Sequence, residues 1–263
     1  MNSYAHLGYT EKEICINNPA SSCGWLKENN MFIDQYFLLL VLPAMALSMY
    51  AQFKVKSTFA KYSKIRSSKN MNGRDAAMLI LKTNSINDVA VESVKGSLTD
   101  HYDPRDKTLR LSEPVYAQPS IAALGVAAHE AGHAIQHARG YGPLVLRSTL
   151  VPTANIGSRF GPIMAMGGLF MTWYMENPIG MLIFNIGIVL FTVAVAFYLI
   201  TLPVEFNASS RALANLRDSN VLTQQELEGA KKVLSAAAMT YVASALTAIM
   251  SLLRLILIAR SRR

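Results

Sequence analysis

The sequence predicts a mainly α membrane protein, with about four transmembrane helices and a small non-membrane unit built on one buried helix and a β-hairpin. Three observations predict it. Of 263 residues, 51% are hydrophobic, only 16% are charged, and mean hydropathy is +0.24, whereas soluble domains carry about 25% charged residues. Four apolar runs approach or exceed the roughly 20 residues that cross a hydrocarbon core. Between the first two lies a polar stretch with its own turn, strand and helix signals.

Residues 1–32 read as a polar leader without the charged start and short apolar core of a signal peptide. Cys15 and Cys23 both lie there; they form no CxxC pair, and one disulfide and two free thiols are both compatible with the sequence. The first span is 33–53, with Asp34 at its entry, Lys54 at its exit and Pro43 inside. A basic linker follows, with Lys54, Lys56, Lys61, Lys64, Arg66 and Lys69.

Asn72 can cap a short helix that runs to about Lys82, with Ala76, Ala77, Leu79 and Ile80 as its apolar face. Val89, Val91 and Val94 begin a strand, and Leu109 and Leu111 alternate with charged residues as in a half-buried one. The run Asp103-Pro104-Arg105-Asp106-Lys107 between them is rich in turn formers and predicts a β-hairpin. Ser120 starts a helix that runs through Ile121–Ala128 and stops at Gly140. Residues 150–202 form a transmembrane hairpin turned at Met175–Pro178, residues 203–232 read as a helix of mixed polarity, and 233–259 is a last apolar helix interrupted by Arg254.

The net charge of +8 and pI near 9.5 invite a nucleic-acid reading. The charge instead flanks apolar runs, and the chain has no nucleic-acid-binding motif, so a membrane-flanking role is the simpler account. Basic residues follow the first span and are few before it. The positive-inside rule therefore places the leader outside and 54–142 at the cytoplasmic face of the cell (inner) membrane. A fourth full crossing would put Arg260, Arg262 and Arg263 outside, against that rule.

The chemistry centres on His129-Glu130-Ala131-Gly132-His133, an H-E-x-x-H pattern. Residues i and i+4 share a helix face about 5–6 Å apart, so both imidazoles reach one Zn²⁺. Glu130 then stands beside the metal as general base, able to take a proton from the attacking water and pass it to the leaving amine. Five residues can match by chance on a solvated helix. Here the small, apolar Ile121–Ala128 run predicts burial, and buried His and Glu need partners.

One catalytic zinc needs a third protein ligand. His137 lies about 12 Å along the helix from His129, too far for one ion with bonds of about 2 Å. Glu205, just beyond the clearest span, is the better third ligand, with Asp103, Asp106 and Asp218 as weaker candidates. An exposed edge within 100–112 could hold an extended peptide by β-augmentation, and His101, Tyr102 or Arg211 is the candidate for stabilising the oxyanion.

These residues resemble a known family. The strings Leu98–Arg105, Leu109–Ser112, Ser120–Ala123, Val126–Gln136, Leu202–Ser209 and Leu227–Leu234 look like the YugP-type neutral zinc metallopeptidases of bacterial membranes, and the resemblance covers roughly 33–258. It implies a minimal gluzincin core on about four membrane helices, similar in plan to HtpX and the CAAX prenyl proteases. It also implies a protein or peptide substrate, one catalytic Zn²⁺, and a third ligand on a later helix, which maps to Glu205. Two positions depart from the pattern. Asn207 stands where the family often has an acidic residue, and Ser209 where HtpX-like enzymes place Asp. Both bear on how the ligands are oriented.

Two other function classes compete. A zinc-binding membrane adaptor or inactive protease homologue would need no base, which Glu130 supplies. A site-2-type intramembrane protease would place the motif inside a span, whereas here Gln136, His137 and Arg139 follow it.

Overall fold

The computed structural model describes residues 34–261; the leader with Cys15 and Cys23 lies outside the described residues. A π-helical stretch, Phe37–Val41, runs into α1, Leu42–Ser63. Helix α2, Gly73–Thr83, follows, and the Asn72 side chain accepts the Asp75 N–H at 2.8 Å, as its sequence position predicts. Strands β1 (Ala90–Val94), β2 (His101–Asp103) and β3 (Thr108–Ser112) come next, then the short α3 (Glu113–Ala117). Helix α4 (Ile121–Ala138) carries the H-E-x-x-H residues. Three long helices complete the chain: α5 (Gly142–Tyr174), α6 (Ile179–Asp218) and α7 (Gln224–Ser261).

The sheet is more than a hairpin. Its order is β1-β3-β2. The Asp103–Lys107 turn does join an antiparallel pair, but that pair is β2 and β3. The valine-rich strand β1 pairs with β3 in parallel, Ala90 opposite Thr108 and Val94 opposite Ser112. Central β3 buries Leu109 and Leu111 completely against α4. Strand β2 is left with one free edge.

Helix α4 is the core of the non-membrane unit. Ser120 caps its start, accepting the Ala123 N–H, and Gly140, at φ +60°, ends it. That left-handed conformation suits glycine. Ala122, Ala123, Leu124, Ala127, Ala128, Ala131 and Ala134 are buried among residues of α2, β3, α6 and α7. The small side chains let the neighbouring backbones approach closely. A Cβ on Gly132 would stand 2.7 Å from the Ala208 carbonyl oxygen of α6.

The mixed-polarity segment 203–232 is not one helix. Helix α6 continues unbroken through Pro203 to Asp218. The chain then turns through Asn220, at φ +50°, and restarts at a capping box. Thr223 Oγ1 accepts the Glu226 N–H, and the Glu226 carboxylate accepts the Thr223 N–H at 2.8 Å.

Among the described residues, three helices are long and apolar enough to cross a membrane: Phe37–Ser63, Ile179–Asp218 and Gln224–Ser261. The other expected span lies in α5, whose Arg147, Arg159, Pro152 and Pro162 lower its apolarity. Helix α5 packs along α6 through glycines. A Cβ on Gly157 would clash with the Leu190 carbonyl, one on Gly168 with the Gly180 carbonyl, and one on Gly187 with the Gly161 carbonyl at 2.7 Å. Such close backbone approach is typical of packed membrane helices. Arg254, which interrupts the last apolar run, meets Asp34 at 2.7 Å, so the C-terminal end of α7 lies beside the start of the first helix. Pairing makes the charge tolerable there.

Candidate metal centre

Helices α4 and α6 bring three ligand atoms together. His129 Nε2 is 3.1 Å and His133 Nε2 is 3.5 Å from Glu205 Oε2. The imidazole rings stand edge to face with centroids 4.8 Å apart. All three ligand atoms lie within 4.8 Å of one another, a group able to hold a metal ion. Tetrahedral zinc with bonds near 2 Å separates its donors by roughly 3.3 Å, so the Glu205 spacings fit. Glu205 is 2% exposed, and a buried carboxylate requires the cationic surroundings it finds here.

The hydrogen bonds around the imidazoles fix which nitrogen faces the cluster. Gln136 Nε2 donates to the Val204 carbonyl at 2.8 Å and to Asn207 Oδ1 at 3.0 Å. A backbone carbonyl can only accept, so the amide orientation of Gln136 is determined. Its Oε1 then accepts from His133 Nδ1 at 3.0 Å. His133 therefore carries a proton on Nδ1, which leaves Nε2, 3.5 Å from Glu205 Oε2, as the nitrogen that faces the ligand group. Arg211 extends the chain, its Nε donating to Asn207 Oδ1 at 2.7 Å. On the other ligand, Ser209 Oγ lies 3.1 Å from His129 Nδ1. Of the two positions that depart from the resemblance, Ser209 contacts His129 directly and Asn207 reaches His133 through Gln136.

Glu130 is 8% exposed and borders two cavities that meet at the cluster. The smaller, about 240 Å³, is largely apolar; Val55 and Phe59 of α1, Val126 of α4, and Val233, Leu234 and Ala237 of α7 wall it. The larger, about 540 Å³, runs past the β2–β3 turn to the first turns of α5, and His133 and Arg147 line it. Asp100, Glu130, Glu205 and Tyr241 border both. Burial raises the Asp100 pKa although its carboxylate accepts bonds from the Ser112 N–H and hydroxyl.

The remaining candidates stand apart from the ligand group. His137 Nδ1 is paired with the Tyr102 hydroxyl at 2.8 Å. Burial pushes that hydroxyl's pKa up to about 12. His101 lines the larger cavity, with Nδ1 2.9 Å from the Thr99 carbonyl. Asp103 is held well below the usual carboxylate range by its hydrogen bonds from Arg105, Asp106 pairs with Arg110, and Asp218 pairs with Arg217. Two residues that sequence reasoning missed are at the centre. Arg147 Nη1 lies 3.1 Å from Glu205 Oε1, and Gln136 orients His133. Gln136 had a legible signal, three residues after His133 on one helix face; Arg147 had none.

Comparison with known proteins places the whole arrangement within one family match. The family model described as "Putative neutral zinc metallopeptidase" matches residues 37–260. The chain belongs to this family. It is also 50% identical over 222 residues to the "Putative membrane protease YugP" of Bacillus subtilis (strain 168), an alignment covering 84% of this chain and 96% of that protein. No solved structure matches the chain. The family match spans the His129, His133 and Glu205 group and every long helix. The protein is therefore a zinc-dependent peptidase of a membrane, acting on protein or peptide in a lipid environment.

Proposed function

We propose that the protein is a membrane-embedded metalloendopeptidase in which His129, His133 and Glu205 hold one catalytic zinc ion and Glu130 is the general base. The observation that carries this reading is the convergence of two imidazole Nε2 atoms and one carboxylate oxygen from separate helices. A bound zinc ion would acidify a water molecule and polarise the scissile carbonyl. Glu130, adjacent to His129 and bordering both cavities, receives the proton of the attacking water and returns it to the departing amine. Gln136 and Ser209 keep the two imidazoles in register through their Nδ1 atoms.

The substrate lies extended across the two cavities. The free edge of β2 offers main-chain hydrogen bonds beside the larger one, and an apolar side chain enters the smaller. Membrane helices α1 and α7 wall that smaller cavity, which favours peptide segments held close to the bilayer. The six basic residues after the first span favour a site at the cytoplasmic face of the cell membrane.

The test is metal content and casein hydrolysis by the purified full chain in detergent. The wild type should bind one zinc per chain and cleave. Glu130→Gln should keep zinc and lose proteolysis. Glu205→Ala should lose both. Unchanged zinc affinity in Glu205→Ala would remove Glu205 as third ligand, and a zinc-loaded wild type that cleaves nothing would favour a zinc-binding membrane adaptor.

A further inference from the structure

We propose that Arg147 is a catalytic residue of this site, its guanidinium holding the outer oxygen of Glu205 and offering further N–H groups to the scissile carbonyl oxygen as that atom gains charge. The inference rests on the zinc-peptidase reading above and adds to it a protein group that meets the carbonyl oxygen.

The first argument is a division of labour on one carboxylate. Glu205 Oε2 faces the two imidazoles, whereas Oε1 faces Arg147 Nη1 at 3.1 Å. Arg147 therefore steadies the carboxylate without occupying the oxygen that faces the ligand group. A guanidinium carries five N–H donors in a rigid fork, and this contact uses one of its three nitrogens. The second argument is placement. The Arg147 side chain is 28% exposed, and it lines the 540 Å³ cavity together with Glu130 and His133. A substrate carbonyl presented to Glu130 and the ligand group must lie in that space.

The third argument is charge. Asp100, Glu130 and Glu205 converge where the cavities meet, and a tetrahedral transition state adds another negative oxygen. Besides histidines, the cations lining either cavity among the described residues are Arg105 and Arg147. Arg105 is 88% exposed and bound to Asp103. The three candidates named from sequence have other engagements: Tyr102 with His137, Arg211 with Asn207, and His101 with Thr99. A fixed cation in a partly desolvated cleft stabilises developing charge without reorganising.

The experiment uses the full chain in detergent with saturating zinc and an internally quenched peptide that the wild type cleaves. Arg147→Gln and Arg147→Lys are compared for kcat, KM, zinc affinity by chelator competition, and inhibition by a phosphinic analogue of that peptide. Loss of one such donor lowers kcat by about 10²–10³. We expect that loss in Arg147→Gln at full zinc loading, with KM changed little. Phosphinic-analogue affinity should fall in step with kcat/KM, while affinity for the cleavage product is unchanged. Arg147→Lys, which keeps the charge without the fork, should retain part of the activity. A wild-type kcat in Arg147→Gln at full zinc loading, with only zinc affinity lowered, would reduce Arg147 to a support for Glu205, and a rise in KM alone would reduce it to substrate binding; either overturns the proposal. A wild type that cleaves no peptide, or a Glu130→Gln variant that still does, fails the zinc-peptidase reading itself.

Discussion

At the scale of single residues, the site depends on which nitrogen of His133 carries the proton, and Gln136 decides it. Gln136 must donate on one side, to the Val204 carbonyl and Asn207, and so must accept on the other, from His133 Nδ1. Gln136→Met keeps the volume and removes all three bonds, so zinc affinity should fall about 10–100-fold, the usual effect of deleting such an outer partner. Gln136→Glu still accepts from His133 but sets a carboxylate against two oxygens, so it should rescue poorly. Chelator competition measures both, and wild-type affinity in the Met variant would dismiss the relay. His129, Glu130 and His133 were legible in sequence because one helix supplies all three at fixed spacing. Glu205 was legible because an acid just past a long apolar run calls for a partner. Arg147 was not, since nothing local to an arginine fourteen residues past His133 indicates that α5 returns it to Glu205. The expectation that Asn207 and Ser209 bear on the histidines could be framed from sequence, but their bonds to Gln136 and His129 required α4 and α6 to be docked.

At the scale of elements, the site exists because α4 and α6 touch backbone to backbone at Gly132. A methyl there would stand 2.7 Å from the Ala208 oxygen and 3.3 Å from the Ala208 Cα, so the helices must separate or shift. Gly132→Ala should cost about 1–3 kcal/mol, as overpacked cores do. It should also weaken zinc binding, because Ala208 lies three residues from Glu205. Gly125→Ala on the same helix is the control. Its methyl would meet the Ala230 Cβ at an ordinary 3.4 Å, and alanine gains up to about 1 kcal/mol of helix propensity over glycine. Thermal unfolding in detergent with zinc titration separates the two; equal behaviour would show that the close contact does not position the ligands. Sequence legibility was uneven here too. Caps at Asn72 and Ser120 and the stop at Gly140 were readable because they are local chemistry. Strand β1 was assigned to the hairpin because alternation and turn residues reveal a strand but not its partner, and the parallel β1–β3 pairing is non-local. The break inside 203–232 had a readable signal in Thr223-Gln224-Gln225-Glu226, masked by the helical composition on either side.

At the scale of the whole molecule, the ligand group constrains the path of the chain through the bilayer. Taken by itself, helix α5 falls short of a span by composition, since among the described residues only Phe37–Ser63, Ile179–Asp218 and Gln224–Ser261 meet that standard. Yet α5 leaves directly from the end of α4, which carries His129 and His133, and Glu205 lies beyond the apolar half of α6. Glu205 touches both histidines, so that end of α6 is on the α4 side. The opposite end of α6, at Ile179, is then across the bilayer, and α5 must travel there to reach it. We therefore expect four crossings, with α5 protected by its glycine-mediated packing on α6 instead of by its own hydropathy. The Asp34–Arg254 pair adds that the start of the first helix and the end of the last share a side, so we expect Arg260 opposite the peptidase face despite its charge. Single cysteines at Glu176, in the α5–α6 turn, and at Lys95, between β1 and β2, test this in a background with Cys15→Ser and Cys23→Ser. In sealed inverted membrane vesicles, an impermeant maleimide should label Lys95→Cys and reach Glu176→Cys only after the vesicles are opened. Labelling of both from one side would mean that α5 does not cross, and the proximity of Glu205 to the α4 histidines would then need a different path for α6.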